Sequence, residues 1–208
     1  MTIKNLENFW EIRSQCDFER LALKTFNHQY ENNKIYRSFC DLINCHRSDV
    51  TKVSEIPYLP ISFFKSKKVS SFKAKDSPFF SSSLISGRTP SKHYYRQLED
   101  YQISFRNGFK FFFGSVENFT VLALLPSYLE REGSSLIYMA DDMIRKSRKK
   151  DSGFYLNQLD LLNEKLIQLE EKRQKILLLG VSFALLDLVQ EYSFDLHYTC
   201  IMETGGMK

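Results

Sequence analysis

The residues best suited to chemistry lie in the stretch Ser81-Ser82-Ser83-Leu84-Ile85-Ser86-Gly87-Arg88-Thr89-Pro90-Ser91-Lys92-His93. It follows an apolar pair, Phe79-Phe80, and precedes an aromatic and charged run that reads as helix. A turn rich in Ser and Thr between a strand and a helix suits phosphate. Backbone N–H groups and hydroxyls donate hydrogen bonds, Arg88 and Lys92 supply charge, and a helix N-terminus adds a positive partial charge. A solvent-exposed Ser-rich loop that binds nothing has the same composition, and both readings stay open. The stretch lacks G-x-x-x-x-G-K-[ST], so it is not a Walker loop. Two later stretches also end apolar runs: Gly180-Val181-Ser182 and Glu203-Thr204-Gly205-Gly206. Ligands of parallel sheets sit beyond the carboxyl ends of the strands, so the three are expected around one cleft.

The elements that position these stretches follow from hydrophobic spacing. Residues from about Asn5 to Asn44 read as helices, with Phe9, Ile12, Leu21, Leu23, Phe26, Tyr30, Tyr36, Phe39 and Leu42 at helical intervals and breaks near Ser14–Asp17 and near Asn32-Asn33. Pro57 and Pro60 exclude a regular helix across Ile56–Pro60. The run Lys65–Lys68 reads as a solvated face, and His28 and His46 read as surface or boundary residues. Gln97–Phe113 forms a helix with Tyr101, Phe105, Phe109 and Phe112 on one core stripe, stopped by Gly114. Phe119–Leu125 and Lys175–Leu179 are short apolar runs that read as buried strands. Between and after them come helices over Ser134–Ile144, from an Asn157 cap through Leu159–Leu169, and over Phe183–Tyr192. Arg145–Asp151 is expected as a basic linker and His197–Met202 as a last strand. This alternation predicts an α/β fold, a largely parallel sheet flanked by helices. The domain reading is a helical segment over 1–50 and an α/β core over 51–208.

Composition bounds the rest. The chain has 208 residues, is 43% hydrophobic and 26% charged, and carries 18 Phe and 11 Tyr against 8 Gly. That is enough apolar content for a core rich in aromatic rings. The net charge of +4 is small and evenly spread, which argues against a nucleic-acid partner. Cys16, Cys40, Cys45 and Cys200 show no CxxC spacing, so neither a disulfide framework nor a zinc site follows. Reduced thiols and a start without an apolar h-region fit a cytoplasmic protein. No transmembrane segment is expected.

Taken together, the motifs resemble the bacterial acyl-protein synthetase family (LuxE-type), a branch of the adenylate-forming enzymes that includes acyl-CoA ligases. The resemblance is carried by Ile56-Pro-Tyr-Leu-Pro-Ile-Ser-Phe-Phe-Lys65, Ser82–His93, Pro126–Met139, Leu177–Phe183 and Met202–Gly206, and covers nearly all of the chain after about Ile56. It implies part of the large domain of such enzymes. It also implies that ATP and Mg²⁺ activate a fatty or other carboxylic acid to an acyl-adenylate. The acyl group would then pass to a thiol, on an acyl-accepting protein, a reductase subunit or a small molecule.

By the same resemblance Ser82, Ser83, Ser86, Gly87, Arg88, Thr89 and Ser91 wrap the β- and γ-phosphates, with Lys92 as counter-charge. Gly180, Val181 and Ser182 meet adenine. Glu203 stands near Mg²⁺, Thr204 is a hydroxyl partner of phosphate, and Gly205 completes the motif. The catalytic assignments fall on Glu203, Thr204 and Lys92. Leu84 and Ile85 stand where the family's S-S-G-T-T-G pattern has Gly and Thr. The resemblance therefore implies a loop that admits phosphate less readily, because Leu84 lacks glycine's backbone freedom and Ile85 a hydroxyl. The family's ribose-binding Asp, C-terminal catalytic Lys and acyl-accepting Cys have no counterpart here. Cys200 reads as a buried strand residue, and the chain is expected not to complete acyl transfer alone. The alternative is a degenerate, non-catalytic homologue that binds an acyl group or a partner.

Overall fold

The computed structural model describes residues 9–10, 12–73, 77–82, 90–125 and 133–205. Of the expected phosphate loop, Ser83, Leu84, Ile85, Ser86, Gly87, Arg88 and Thr89 lie outside the described residues, as does Gly206. The chain falls into two compact units, Met1–Tyr101 and Gln102–Lys208.

The first unit opens with α1 (Gln15–Asn32) and α2 (Lys34–Leu42). Ser14 starts α1, its hydroxyl accepting from the Asp17 N–H at 3.1 Å. Asn33 does two jobs between the helices. Its N–H donates to the Gln29 carbonyl at 2.8 Å, and its side-chain oxygen accepts from the Tyr36 N–H at 3.2 Å. The break expected near Asn32-Asn33 falls at Asn33, whereas α1 already begins at Gln15, inside the Ser14–Asp17 stretch where the other break is expected. Phe26, Tyr30, Tyr36, Cys40 and Val50 form the buried centre, with Ile56 and Leu59 packed against it. The proline segment thus lies on the helical pair, and the Tyr36 hydroxyl fixes it by donating to the Pro57 carbonyl at 2.6 Å. Burial pushes the Tyr36 phenol above its ordinary pKa range, so it remains a donor. After α3 (Phe63–Ser66) come β1 (Phe79–Ser81) and β2 (Lys92–Tyr94), paired antiparallel.

That pairing corrects one expectation. The stretch starts in β1 and ends in β2, which pair antiparallel, so its described end leads into a strand and not into a helix N-terminus. The next helix, α4 (Leu98–Phe113), begins only after β2 has ended, and the division between the units falls within it.

The second unit is built on β3 (Thr120–Leu124), α5 (Ser135–Ser147), β4 (Gly153–Phe154), α6 (Leu159–Glu171), β5 (Ile176–Val181), α7 (Ser182–Glu191) and β6 (Thr199–Thr204). The sheet order is β4-β3-β5-β6 and every pairing is parallel. The α/β class expected from the alternation is therefore the class observed. All residues of β3 and β5 are buried, which is why both read as unbroken apolar runs. Leu162, Leu166 and Leu169 lie on one stripe of α6 and pack on that sheet.

Local departures have clear causes. α5 continues to Ser147 and ends at Arg148 in the left-handed region, φ 54°, so only the remainder of 145–151 is linker. β4 is too short to be seen as a pattern. It is held by the Val121 N–H donating to Ser152 Oγ at 2.9 Å and the Tyr155 N–H donating to the Ala123 carbonyl at 2.9 Å. Gln158, not Asn157, precedes α6, and it makes no side-chain cap bond. Phe112 is exposed, whereas Tyr101, Phe105 and Phe109 of that stripe are half-buried, Phe109 against the cluster of Phe119 and Met143. Gly114 ends α4 as expected, at φ 83° with its N–H on the Lys110 carbonyl.

Candidate functional site

The order β4-β3-β5-β6 places a switch point between β3 and β5, because the chain leaves β3 toward β4 on one side and returns to β5 on the other. In open α/β sheets the crevice beyond the carboxyl ends at such a point is where ligands bind. β5 runs directly into α7 there, Val181 ending the strand and Ser182 beginning the helix. No side chain caps the first turn of α7. Its N–H groups and dipole face the carboxyl edge of the sheet and favour negative charge.

The register brings two of the expected stretches side by side. Gly180 lies beside Glu203 and Val181 beside Thr204. The Ser182 hydroxyl contacts the Glu203 carboxylate and also reaches the Gly205 carbonyl at 2.7 Å. A hydroxyl carries one proton, so it donates to one of these acceptors at a time. Gly205 has φ +90°, which a side chain would strain, and this turn brings its carbonyl back over Ser182. Glu203 and Thr204 are the last residues of β6 and do not follow it, so they address opposite faces of the sheet. Glu203 is exposed and shares the contact with Ser182, whereas Thr204 is half-buried. Cys200, expected buried, is half-buried in the same strand and packs on the Val121 and Leu177 cluster.

Gly180 has a packing role that the sequence does not reveal. It is buried, and a Cβ there would meet the Leu185 side chain at 2.6 Å. Val181 is buried as well. Of the three residues in this stretch, Ser182 is the one with a polar group at the surface of the edge.

In the first unit, Ser82 and Ser91 bond to each other where β1 ends and β2 begins. The Ser82 N–H donates to the Ser91 carbonyl at 3.0 Å, and the Ser91 N–H donates to Ser82 Oγ at 3.0 Å. Lys92 Nζ stands over the Phe79 ring, 4.7 Å from its centroid. Next to it, Phe79 packs on Tyr94 at 5.5 Å, and Lys68 Nζ stands 4.8 Å over the Tyr94 ring. Two ammonium groups thus sit on one aromatic pair, an arrangement stabilised by the negative faces of the rings. Lys92 was among the residues singled out in the sequence. Lys68 was not: it read as part of a solvated run, and only the pairing of Phe79 with Tyr94 reveals its place.

Among the described residues no three His, Cys, Asp or Glu side chains stand together as a metal cage. Mg²⁺ does not need one. It commonly takes one or two carboxylates and completes its shell with substrate phosphates and water. At this edge Glu203 offers one exposed carboxylate, while the positive N-terminal end of α7 favours an anion.

A parallel sheet with a helix N-terminus at its switch point is an architecture shared by proteins of many functions, so the fold alone does not name one. Comparison with known proteins narrows the choice. Residues 8–105 match the family model described as Acyl-protein synthetase, LuxE. The chain is also 36% identical over 69 residues, 32% of its length, to the Long-chain-fatty-acid--luciferin-component ligase of Aliivibrio fischeri, and spans 18% of that relative. No solved structure matches the chain. The resemblance read from the motifs is thus found independently on residues 8–105. That segment includes the N-terminal helices, which the motifs left out, and stops short of the stretches at Gly180 and Glu203. It nearly coincides with the first unit.

Proposed function

We propose that this chain takes part in the ATP-dependent activation of a long-chain carboxylic acid, forming an acyl-adenylate whose acyl group passes to a protein or small thiol. One observation carries the reading: the match of residues 8–105 to the acyl-protein synthetase family, which encloses the Ser/Thr-rich stretch between β1 and β2. The relative from Aliivibrio fischeri, a ligase of long-chain fatty acids by its name, supports the choice of acid. The carboxyl edge of the second unit supports the choice of co-substrate.

In this reading the residues divide the work by chemistry. Ser82, Ser83, Ser86, Gly87, Arg88, Thr89 and Ser91 surround phosphate oxygens, and Lys92 supplies counter-charge. Ser182 and the first turn of α7 meet the polar part of the nucleotide, with Gly180 and Val181 forming the wall beneath. Glu203 offers a hard oxygen to Mg²⁺, and Thr204 and Gly205 shape the end of β6 around it. Mg²⁺, when bound, would draw charge from the triphosphate, and the acid's carboxylate would then be aligned for in-line attack on phosphorus. The test is exchange of labelled pyrophosphate into ATP with Mg²⁺ and tetradecanoic acid. The reading expects exchange that depends on the acid and falls at least tenfold in Glu203→Gln. Exchange independent of the acid would overturn it.

A further inference from the structure

The first unit contains two neighbouring pockets, the arms of one lined surface, that the reading above leaves unused. The larger arm, about 350 Å³, is walled by apolar side chains of α1 and of the segment from Val53 to Leu59, among them Leu21, Ala22, Phe26, Val53 and Ile56. A second arm, about 310 Å³, is lined by Ser70, Ser71, Phe72 and Tyr94. The arms share Gln29, Tyr36 and Leu59. Each volume lies at the lower end of the roughly 300–1,000 Å³ typical of ligand pockets. Their chemistries differ along the length. The first arm has little to offer a polar group. The second has hydroxyls, and cations stand on its aromatic walls: Lys68 over Tyr94, and Arg96 over Phe72 with its guanidinium carbon 5.2 Å from the centroid. Tyr94 and Lys92 are two apart in β2 and share a face of the strand, so the second arm adjoins the start of β2.

An apolar pocket next to one whose aromatic lining residues Phe72 and Tyr94 carry cations on their rings fits a long-chain monocarboxylate that spans both. We infer that the alkyl chain of such an acid lies along α1, toward Leu21 and Ala22, with its carboxylate at the Tyr94 end beside Lys68 and Lys92. The inference rests on the proposed fatty-acid reading and adds where the acid is held. It places the carboxylate next to the paired strands β1 and β2, beside Ser82 and Ser91.

The probe is tetradecanoic acid bearing a diazirine at its far end, irradiated with the full chain, with the labelled peptides then mapped. Label on the α1 and Val53–Ile56 walls, displaced by unlabelled tetradecanoic acid, is expected. Label confined to the second unit, label that the unlabelled acid does not displace, or no label at all would overturn the site. Pyrophosphate exchange judges the underlying reading separately: acid-dependent exchange with label outside these pockets sinks only the location. A second arm addresses the head end. Lys68→Ala should weaken tetradecanoic acid about twofold to fivefold, the worth of an exposed ion pair, and leave tetradecanol unchanged. Equal effects on acid and alcohol would overturn the placement of the carboxylate.

Discussion

Gly180 shows how one residue can serve packing at the foot of a candidate site. Its missing side chain makes room for Leu185, whose Cδ2 and Cγ would lie 2.6 and 2.7 Å from an added Cβ. Gly180→Ala should therefore destabilise the second unit by about 1–3 kcal/mol, the usual cost of overpacking. Adding Leu185→Ala should return part of that, read as the shift of the urea midpoint. The neighbouring Ser182→Ala removes a hydroxyl that touches Glu203 and Gly205. Being at the surface, it should lower stability by less than about 1.5 kcal/mol, measured in the same unfolding series. At this scale the sequence was legible where residue type decides chemistry: Ser182, Glu203 and Gly205 were singled out and do meet. It was silent where geometry decides. Nothing in the letters shows that Glu203 and Thr204 take opposite faces of an edge strand, or that Lys68 and Lys92 share an aromatic pair.

At the scale of elements, two polar residues hold joints that apolar patterning cannot fix. Asn33 closes α1 and caps α2 while buried. Asn33→Ala should cost about 1–2 kcal/mol, as loss of an N-cap does, seen as a lower thermal midpoint with α-helical dichroism otherwise intact. Glu170 ties the end of α6 to the start of β6. Its carboxylate accepts from the Thr199 hydroxyl at 2.6 Å, and from the His197 and Tyr198 N–H groups at 3.0 Å. Burial pushes this carboxyl up, but the hydrogen bonds together outweigh burial and hold it below the ordinary glutamate range. A group with a lowered folded-state pKa contributes its stability above the unfolded value of about 4.3 and loses it as pH falls through the lower folded value. Wild type should therefore lose stability between about pH 5 and 3 more steeply than Glu170→Gln, followed by urea titration at each pH. An equal slope in the two proteins would remove Glu170 from this role. The long elements could be read from the sequence because Leu162, Leu166 and Leu169, or the runs in β3 and β5, repeat with a clear period. The β1–β2 pair could not, since β1 and β2 each span three residues, and β4 is two residues held by hydrogen bonds from Val121 and Tyr155.

At the scale of the whole molecule, the α/β class followed from the alternation of strands and helices, whereas the division after Tyr101 did not. No shift in composition marks it, and α4 runs through it. No helix among the described residues is long and apolar enough to cross a membrane. The first unit carries the β1–β2 pair, the two pockets and the family match; the second carries the parallel sheet with Ser182 and Glu203 at its carboxyl edge. In the proposed function this chain handles Mg²⁺ and ATP through that edge. Calorimetric titration of Mg²⁺·ATP into the full chain and into Glu203→Gln tests it most directly. The account predicts saturable binding to the wild type that requires Mg²⁺ and weakens at least tenfold in the variant. Absence of binding, or equal binding by both proteins with the fold of each intact by circular dichroism, would contradict it.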